Sequence, residues 1–160
     1  MKNHLLYFVL MAGIIFTACQ NPCPSITDSQ KVIIEKQILE QWEKSGLAVK
    51  KSDADGYLTS FSSTGFVAMH SEGMQFISLK EYADSVKVWF SARTSNEIQQ
   101  PTIKVTVLSD QLALMDQKSV FQLNLKDSRV VRCNHAVSFL FKKEDSGWKI
   151  IHGHESWTNL

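Results

Sequence analysis

Two stretches near the C-terminal end carry side chains that could do chemistry. Residues 132–141 contain His135, and residues 147–157 contain Glu155. An imidazole beside a carboxylate can serve as a general acid–base pair or as a polar anchor for a ligand. Because the residues at alternate positions around both are apolar, a lone carboxylate there would be costly and would favour pairing with the histidine. We therefore predict that His135 and Glu155 interact inside a pocket.

A second arrangement, His152-Gly153-His154, puts two imidazoles on one face of a strand, about 6–7 Å apart by strand rise. Such pairs bind zinc when a third ligand converges. The sequence shows no clear third ligand, although His70 could approach. The alternative is that both histidines lie with Trp148 and Ile150 on the outer face and pack at a subunit interface. We favour this alternative and predict no metal and no cofactor.

The elements that would position His135 and Glu155 are the two strands of a hairpin. Runs rich in β-branched and aromatic residues flank a polar break at residues 142–147, which is a hairpin signal. With the turn near Asp145, Phe139 falls opposite Ile151 and His135 opposite Glu155. Alternation then places on one largely apolar face Cys133, His135, Val137, Phe139, Phe141, Ile151, Gly153, Glu155 and Trp157.

The first half of the chain reads as helices around a strand pair. A helix is predicted over residues 29–50, capped by Asp28 or Ser29. A short helix follows around Tyr57, then strands over 66–71 and 74–78, and a helix over 79–92 capped by Ser78. The apolar positions of the two long helices are Val32, Ile33, Leu39, Trp42 and Leu47, and then Tyr82, Val86, Trp89 and Phe90. The remaining strands are predicted over 102–108, 112–125 and 130–143.

Composition indicates one ordinary globular domain, which we assign to residues 28–160. The chain has 160 residues, of which 44% are hydrophobic and 21% are charged. Seventeen basic and 16 acidic residues nearly balance, and there is no basic run. This balance argues against a nucleic acid or an anionic lipid surface as partner.

The N-terminus is predicted to be a targeting segment. Lys2 precedes an apolar run over residues 5–16 that is too short to span a bilayer comfortably. The run closes with Phe16-Thr17-Ala18-Cys19, which resembles a bacterial lipoprotein signal, although leucine is usual at the position of Phe16. The alternatives are an ordinary secretory signal or an uncleaved anchor.

The lipoprotein interpretation assigns residues 1–18 to the signal peptide, lipid attachment to Cys19, and residues 19–27 to a tether. It implies a membrane-anchored domain in the bacterial cell envelope that faces the periplasm or the exterior. Outside the cytoplasm Cys23 and Cys133 could pair, but we favour a buried free thiol at Cys133.

The order of elements, the break Lys51-Ser52-Asp53-Ala54-Asp55-Gly56-Tyr57 and the ending GWKIIHGHES at 147–156 together resemble the nuclear transport factor 2-like superfamily. The SnoaL-like branch is most similar, and the C-terminal strand is also similar to the association domain of calcium/calmodulin-dependent kinase. The resemblance covers residues 29–157. It implies an α+β cone, in which a curved, mostly antiparallel mixed sheet wraps around three helices and encloses one pocket. Many members are dimers.

The resemblance also implies where catalytic residues would lie. In the steroid isomerase branch an aspartate base would fall near His70, a tyrosine near residues 42–46 and a protonated acid near Val137. None of these roles is filled here, which argues against isomerase activity. A dehydratase-like pair of histidine and acid could be formed by His135 and Glu155, or by His70, which are the candidate catalytic residues. The kinase domain has an arginine where this chain has Glu155, so a carboxylate-bearing ligand is not implied.

Three classes of function remain. We rank first a lipid-anchored, non-catalytic module that binds a small apolar or amphipathic molecule, then an acid–base enzyme, then a dimeric structural module. Convergence of an imidazole and a carboxylate would favour the enzyme, and a cone filled by aromatic rings would favour the structural module. A homodimer through the outer sheet face is expected. The predicted pocket residues are Tyr57, Phe61, Trp89, Val137, Phe139, Ile151 and Trp157.

Overall fold

The computed structural model describes residues 26–160, which form three helices and six strands. The helices are α1 (Asp28–Lys50), α2 (Ala54–Leu58) and α3 (Leu79–Ser91). The strands are β1 (Ala68–Ser71), β2 (Met74–Phe76), β3 (Arg93–Val107), β4 (Leu112–Leu125), β5 (Val130–Glu144) and β6 (Gly147–Asn159). The predicted order of helices, strand pair, helix and four long strands is confirmed.

Side-chain oxygens begin each helix by accepting a hydrogen bond from the backbone of the first turn, where N–H groups lack helical partners. Ser78 caps α3 by accepting from the Glu81 N–H, as predicted. Asp53 accepts from the Gly56 N–H at the start of α2. At α1 the predicted cap is wrong by one or two residues, because Thr27 forms a capping box with Gln30.

The buried stripe of α1 also differs from the prediction. Ile34, Ile38 and Trp42 point into the core, whereas Val32 and Leu47 are more than half exposed. The helix carries apolar residues on two faces, so their spacing alone does not decide which face is buried. Packing of α1 against β3, β4 and β6 decides it.

One open sheet with strand order β2-β1-β6-β5-β4-β3 curls around the helices. All neighbouring strands are antiparallel except β1 and β6, which run parallel. The inner face of the sheet and the helices enclose the core, which is rich in aromatic side chains. The predicted α+β cone is therefore confirmed.

The register of the final hairpin differs from the prediction by two residues. His135 pairs with Trp157 and Val137 with Glu155. One residue of the difference arises because the turn lies between Glu144 and Gly147. The other arises from a bulge, since Leu140 pairs with His152 while Phe141 pairs with Ile150, and a bulge adds one residue to one strand.

This bulge exchanges the faces of β6. Beyond it, Gly153 and Glu155 face inward as predicted. Before it, Trp148 and Ile150 also face inward and are 5% and 0% exposed, so they do not lie on the outer face with His152 and His154. The apolar side chains on which the expected homodimer rested, Trp148 and Ile150, are therefore not on the outer face, and the homodimer stays a prediction.

Strand β3 begins directly after α3, earlier than predicted, and forms one edge of the sheet. Its ladder with β4 shifts register between Gln99 and Thr102. Gln100 has a φ of 50°, and Pro101 has no N–H to donate. The strand is therefore interrupted near its middle and bends there.

The predictions for residues 1–18, for most of the tether at 19–27 and for Cys19 and Cys23 lie outside the described residues. Within residues 26–160, every helix is too short or too polar to cross a membrane.

Candidate functional site

His135 and Glu155 meet on the inner face of the sheet, as predicted. His135 Nε2 lies 3.4 Å from Glu155 Oε2. The two residues are diagonal neighbours rather than direct partners, because of the register described above. Ser71 Oγ donates a hydrogen bond of 2.7 Å to the other carboxylate oxygen, Oε1. Glu155 thus has a polar contact at each oxygen.

Aromatic rings hold the imidazole of His135. The Trp157 ring lies 4.3 Å away and the Phe121 ring 5.4 Å away, between centroids. His135 and Glu155 are only 5% and 8% exposed. Among the described residues, the buried Nδ1 atom of His135 has no hydrogen-bond partner. A buried polar atom without a partner is costly, so this nitrogen is suited to a ligand.

A cavity of about 50 Å³ adjoins this pair. Most of its wall is apolar or aromatic. The lining residues are Trp42, Val49, Tyr57, Tyr82, Val86, Trp89, Phe90, Arg93, Ile98, Gln117, Phe121, His135, Phe139, Glu155 and Trp157. The volume is well below the roughly 300–1,000 Å³ of sites for drug-sized molecules. The aromatic rings therefore narrow the cone without filling it.

Two tyrosine hydroxyls lie together in the cavity wall. Tyr57 Oη and Tyr82 Oη are 3.2 Å apart. Burial raises the pKa of both phenols, and the negative field of Glu155 adds to the effect. Both hydroxyls therefore keep their protons at neutral pH and can donate hydrogen bonds.

Gln117 is a polar residue of the wall whose amide oxygen and nitrogen both have partners. Trp42 Nε1 donates to Gln117 Oε1 at 2.6 Å, and Gln117 Nε2 donates to Ser119 Oγ at 3.3 Å. The bond from Trp42 ties α1 to β4, whereas the bond to Ser119 lies within β4. Gln117 is therefore better suited to fixing the wall than to binding a ligand.

A second, more open space of about 250 Å³ adjoins the cavity, and we call it the vestibule. The two spaces share Trp89, Arg93, Glu155 and Trp157. Cys133 also lines the vestibule, and burial raises the pKa of its thiol. A molecule longer than the cavity could extend past Glu155 into the vestibule.

The predicted pocket residues divide into two groups. Tyr57, Trp89, Phe139 and Trp157 line the cavity. Phe61, Val137 and Ile151 are buried but lie outside the lining. Phe61 packs behind the wall against Tyr57 and Tyr82, and Ile151 is the bulged residue of β6.

His70 does not converge with His135 and Glu155, contrary to the possibility raised from sequence. Side chains alternate along β1, so Ser71 faces Glu155 while His70 faces outward. Its ring lies 5.6 Å from His152 and 6.1 Å from His154, between centroids. His70 thus approaches the other two histidines, but no trio of His, Cys, Asp or Glu within residues 26–160 has an arrangement that could hold a metal.

Sequence reasoning missed Arg93 and Gln117 as cavity residues, and it assigned Tyr82 only to an apolar helix face. A signal for Gln117 was present, because it interrupts the buried alternation of Ala113, Met115 and Phe121 along β4. Arg93 gave no signal, because the strand it begins was predicted to start several residues later.

Comparison with solved structures shows the same fold at low sequence identity. A candidate scytalone dehydratase from Novosphingobium aromaticivorans matches with a TM-score of 0.73 at 9% identity, over 82% of this chain and 89% of that one. The hexachlorocyclohexane dehydrochlorinase LinA-type3 from Novosphingobium barchaimii matches with a TM-score of 0.67 at 13% identity, over 84% and 94%.

A candidate calcium/calmodulin-dependent kinase II association domain from Xanthomonas campestris matches with a TM-score of 0.62 at 14% identity, over 86% and 92%. These likenesses concern the fold. No curated protein sequence matches the chain.

The family model for the SnoaL-like domain matches residues 36–159. The match runs from the first helix to the last strand and includes every residue that lines the cavity. The chain therefore belongs to the SnoaL-like family.

Proposed function

We propose that the protein binds a small, largely apolar molecule that carries a hydrogen-bond donor, and that His135 is the polar anchor in the cavity. The observation that carries this proposal is the unpartnered, buried Nδ1 of His135 in an aromatic wall. If Glu155 is ionised it only accepts hydrogen bonds, so Nε2 carries the proton of a neutral imidazole. Nδ1 then offers a lone pair to a ligand hydroxyl or N–H group.

The other wall residues fit this ligand class. Indole, phenol and phenyl rings supply apolar contact area, and Gln117 is bonded to Trp42. The small cavity selects a compact ligand, or one that extends into the vestibule.

An acid–base enzyme is the second candidate, and a specific observation favours it. The contact between His135 and Glu155, with Ser71 behind it, has the form of a general base held by an orienting carboxylate. Tyr57 and Tyr82 stay protonated and could donate to a developing negative charge. Two structures of the same fold are named as a dehydratase and a dehydrochlorinase, and both eliminations require removal of a proton.

Phenol and toluene test the binding proposal, because they share a shape and only phenol can donate a hydrogen bond. In NMR titrations of the full chain we expect both to bind, with phenol tighter by about threefold to tenfold, the value of one net hydrogen bond. His135→Phe should keep toluene binding and remove the preference. If neither probe binds, or if the wild type shows no preference, the proposal fails.

A proton-exchange measurement on the same protein distinguishes an enzyme from a binding module. A general base should speed exchange of the α-C–H protons of acetophenone in D2O above the buffer rate, and Glu155→Gln should abolish the gain while the fold survives. Exchange at the buffer rate in the wild type would leave binding as the function. If Glu155→Gln changed only stability, the pair would serve the fold alone.

We also propose that the domain is attached to the bacterial cell envelope through a lipid on Cys19. The support is the sequence of the first 19 residues, which resembles a lipoprotein signal. This attachment would place the cavity at a membrane surface, where apolar and amphipathic molecules concentrate.

A further inference from the structure

Arg93 is the one lysine or arginine among the described residues that line the cavity, and it also lines the vestibule. It is the first residue of β3, directly after α3. Its position is therefore fixed by two elements of the cone. Neither the proposed binding site at His135 nor the proposed catalytic pair uses it.

The guanidinium of Arg93 makes no hydrogen bond or ion pair with any residue in 26–160. It lies over the Phe90 ring, whose centroid is 5.4 Å from Cζ. Burial lowers the pKa of Arg93, but a guanidinium stays charged in proteins and has five N–H donors. The side chain is only partly buried, so an anion that enters the vestibule can reach these donors and form charge-assisted hydrogen bonds with them.

Glu155 is the carboxylate whose charge acts most strongly on Arg93, but it does not occupy these donors. Its oxygens contact Ser71 and His135, and it lies beyond ion-pair distance of the guanidinium. The field of Glu155 therefore helps to keep Arg93 charged while leaving its N–H groups available.

The charges around the vestibule restrict the anion. Glu72 and Glu155 both line it beside Arg93, and their repulsion grows with each charge on the anion, so a single carboxylate is repelled least. Lys51, Lys87 and Lys126 line an outer cleft that Arg93 also borders. These lysines add a positive field that favours the approach of an anion, although Lys87 is already paired with Asp55 at 3.1 Å.

We propose that Arg93 binds the carboxylate of a small organic monoacid whose apolar part lies against Trp89 and Trp157 in the cavity and vestibule. This inference deepens the proposed function, on which it rests, by adding a carboxylate to the ligand, apart from the hydrogen-bond donor that contacts His135. A planar guanidinium matches a carboxylate with two parallel N–H donors. The kinase association domain has its arginine at the position of Glu155, on β6, whereas the arginine in this chain lies on β3.

Benzoate and benzamide provide matched probes, because they share a shape and only benzoate is charged. In NMR titrations of the full chain we expect benzoate to bind at least about tenfold more tightly than benzamide, as for a charge-assisted pair. Arg93→Gln should reduce this preference to about twofold or less. Arg93→Lys keeps the charge but loses the two parallel N–H donors of the guanidinium, so it should give an intermediate preference.

Lys126→Gln is the control, because it removes a charge from the outer cleft and leaves Arg93 in place. It should retain most of the preference for benzoate, because Lys126 acts only through its field and does not line the vestibule. Acetate tests the contribution of the ring, and we expect it to bind more than about tenfold more weakly than benzoate, because it lacks the apolar part. If acetate matched benzoate, the anion would bind in the outer cleft and the inference would be wrong.

The outcomes distinguish this inference from the proposed function. If toluene and phenol bind but the wild type shows no preference for benzoate, or if folded Arg93→Gln and Arg93→Lys proteins keep the full preference, the inference fails and the proposed function stands. If none of the aromatic probes binds, both fail. Thermal unfolding identifies any variant that does not fold.

Discussion

Gly153 sets how closely the inner face of β6 can approach its neighbours. A Cβ atom at this position would lie 2.5 Å from Met69 Sδ and 2.6 Å from Phe139 Cδ1. Both side chains are fully buried in the core, and Phe139 lines the cavity. Because Gly153 has no side chain, the Phe139 ring can pack in the space that a Cβ atom would occupy.

Replacing Gly153 by alanine should destabilise the fold by about 1–3 kcal/mol, because a methyl group forces a packed core apart. The free energy of unfolding in urea measures the change. Displacement of Phe139 should also alter toluene binding.

Gly46→Ala is the matched control. It lies within α1, and a Cβ atom there would meet nothing within 4 Å. Alanine should stabilise this helix position by about 0.5–1 kcal/mol. Equal effects at the two glycines would show that contact with Met69 and Phe139 does not explain Gly153.

At the scale of single residues, the sequence correctly predicted which side chains face inward beyond the bulge, because strand alternation decides this. The contact between His135 and Glu155 was predicted although its register was wrong, because a slip of two residues keeps both on the same face. The role of Arg93 could not be predicted, since it depends on where α3 ends and β3 begins. Its missing partners are visible only in three dimensions.

Strands β1 and β6 bring three histidines together on the outer face of the sheet. His70, on β1, lies beside His152 and His154, both on β6. Burial lowers the pKa of His152, and His70 and His154 lower it further. On β5, the residue paired with His152 is the uncharged Leu140.

This arrangement predicts acid sensitivity. Because the pKa of His152 is lower in the folded than in the unfolded chain, the unfolded chain binds more protons as the pH falls below the ordinary value of 6.5. Stability should therefore be highest above that value and fall as the pH decreases through it. His152→Gln should reduce the change in melting temperature between about pH 7 and 5.

His154→Gln is the control for this prediction, because it removes only the smallest of the three causes. Most of the acid sensitivity should remain in that variant. A His152→Gln protein with the same pH profile as the wild type would contradict the prediction.

For helices and strands, the features that depend on neighbouring residues were predicted correctly more often than those that depend on packing between distant elements. The cap at Ser78 and the polar turn before Gly147 depend on residues close in sequence, and both elements form there. The buried face of α1 and the bulge at Ile151 depend on packing between distant elements. Their sequences fit either arrangement, so the wrong faces were chosen for Val32 and Trp148.

The whole molecule includes an N-terminal segment whose predicted role is attachment. Replacing Cys19 by serine should move the protein from the membrane fraction to the soluble fraction of cells, because the lipid could no longer be added. Immunoblotting of the two fractions measures the change. A short tether to α1 would hold the rest of the chain near the membrane surface.

Cys23→Ser is the matched control, since it changes a nearby cysteine outside the signal and should leave the protein in the membrane fraction. If Cys19→Ser stays with the membrane, the lipoprotein interpretation is wrong. Release by both variants would also contradict the assignment of lipid to Cys19.

The bend in β3 affects whether two copies of the protein can associate through the edges of their sheets. An edge strand of 15 residues could otherwise accept a strand from another molecule and begin a growing fibril. Pro101 offers no donor there, the positive φ of Gln100 turns the backbone, and Lys104 adds a charge nearby. At the opposite edge β2 has only three residues. Strand addition between molecules is therefore disfavoured at both edges of the sheet.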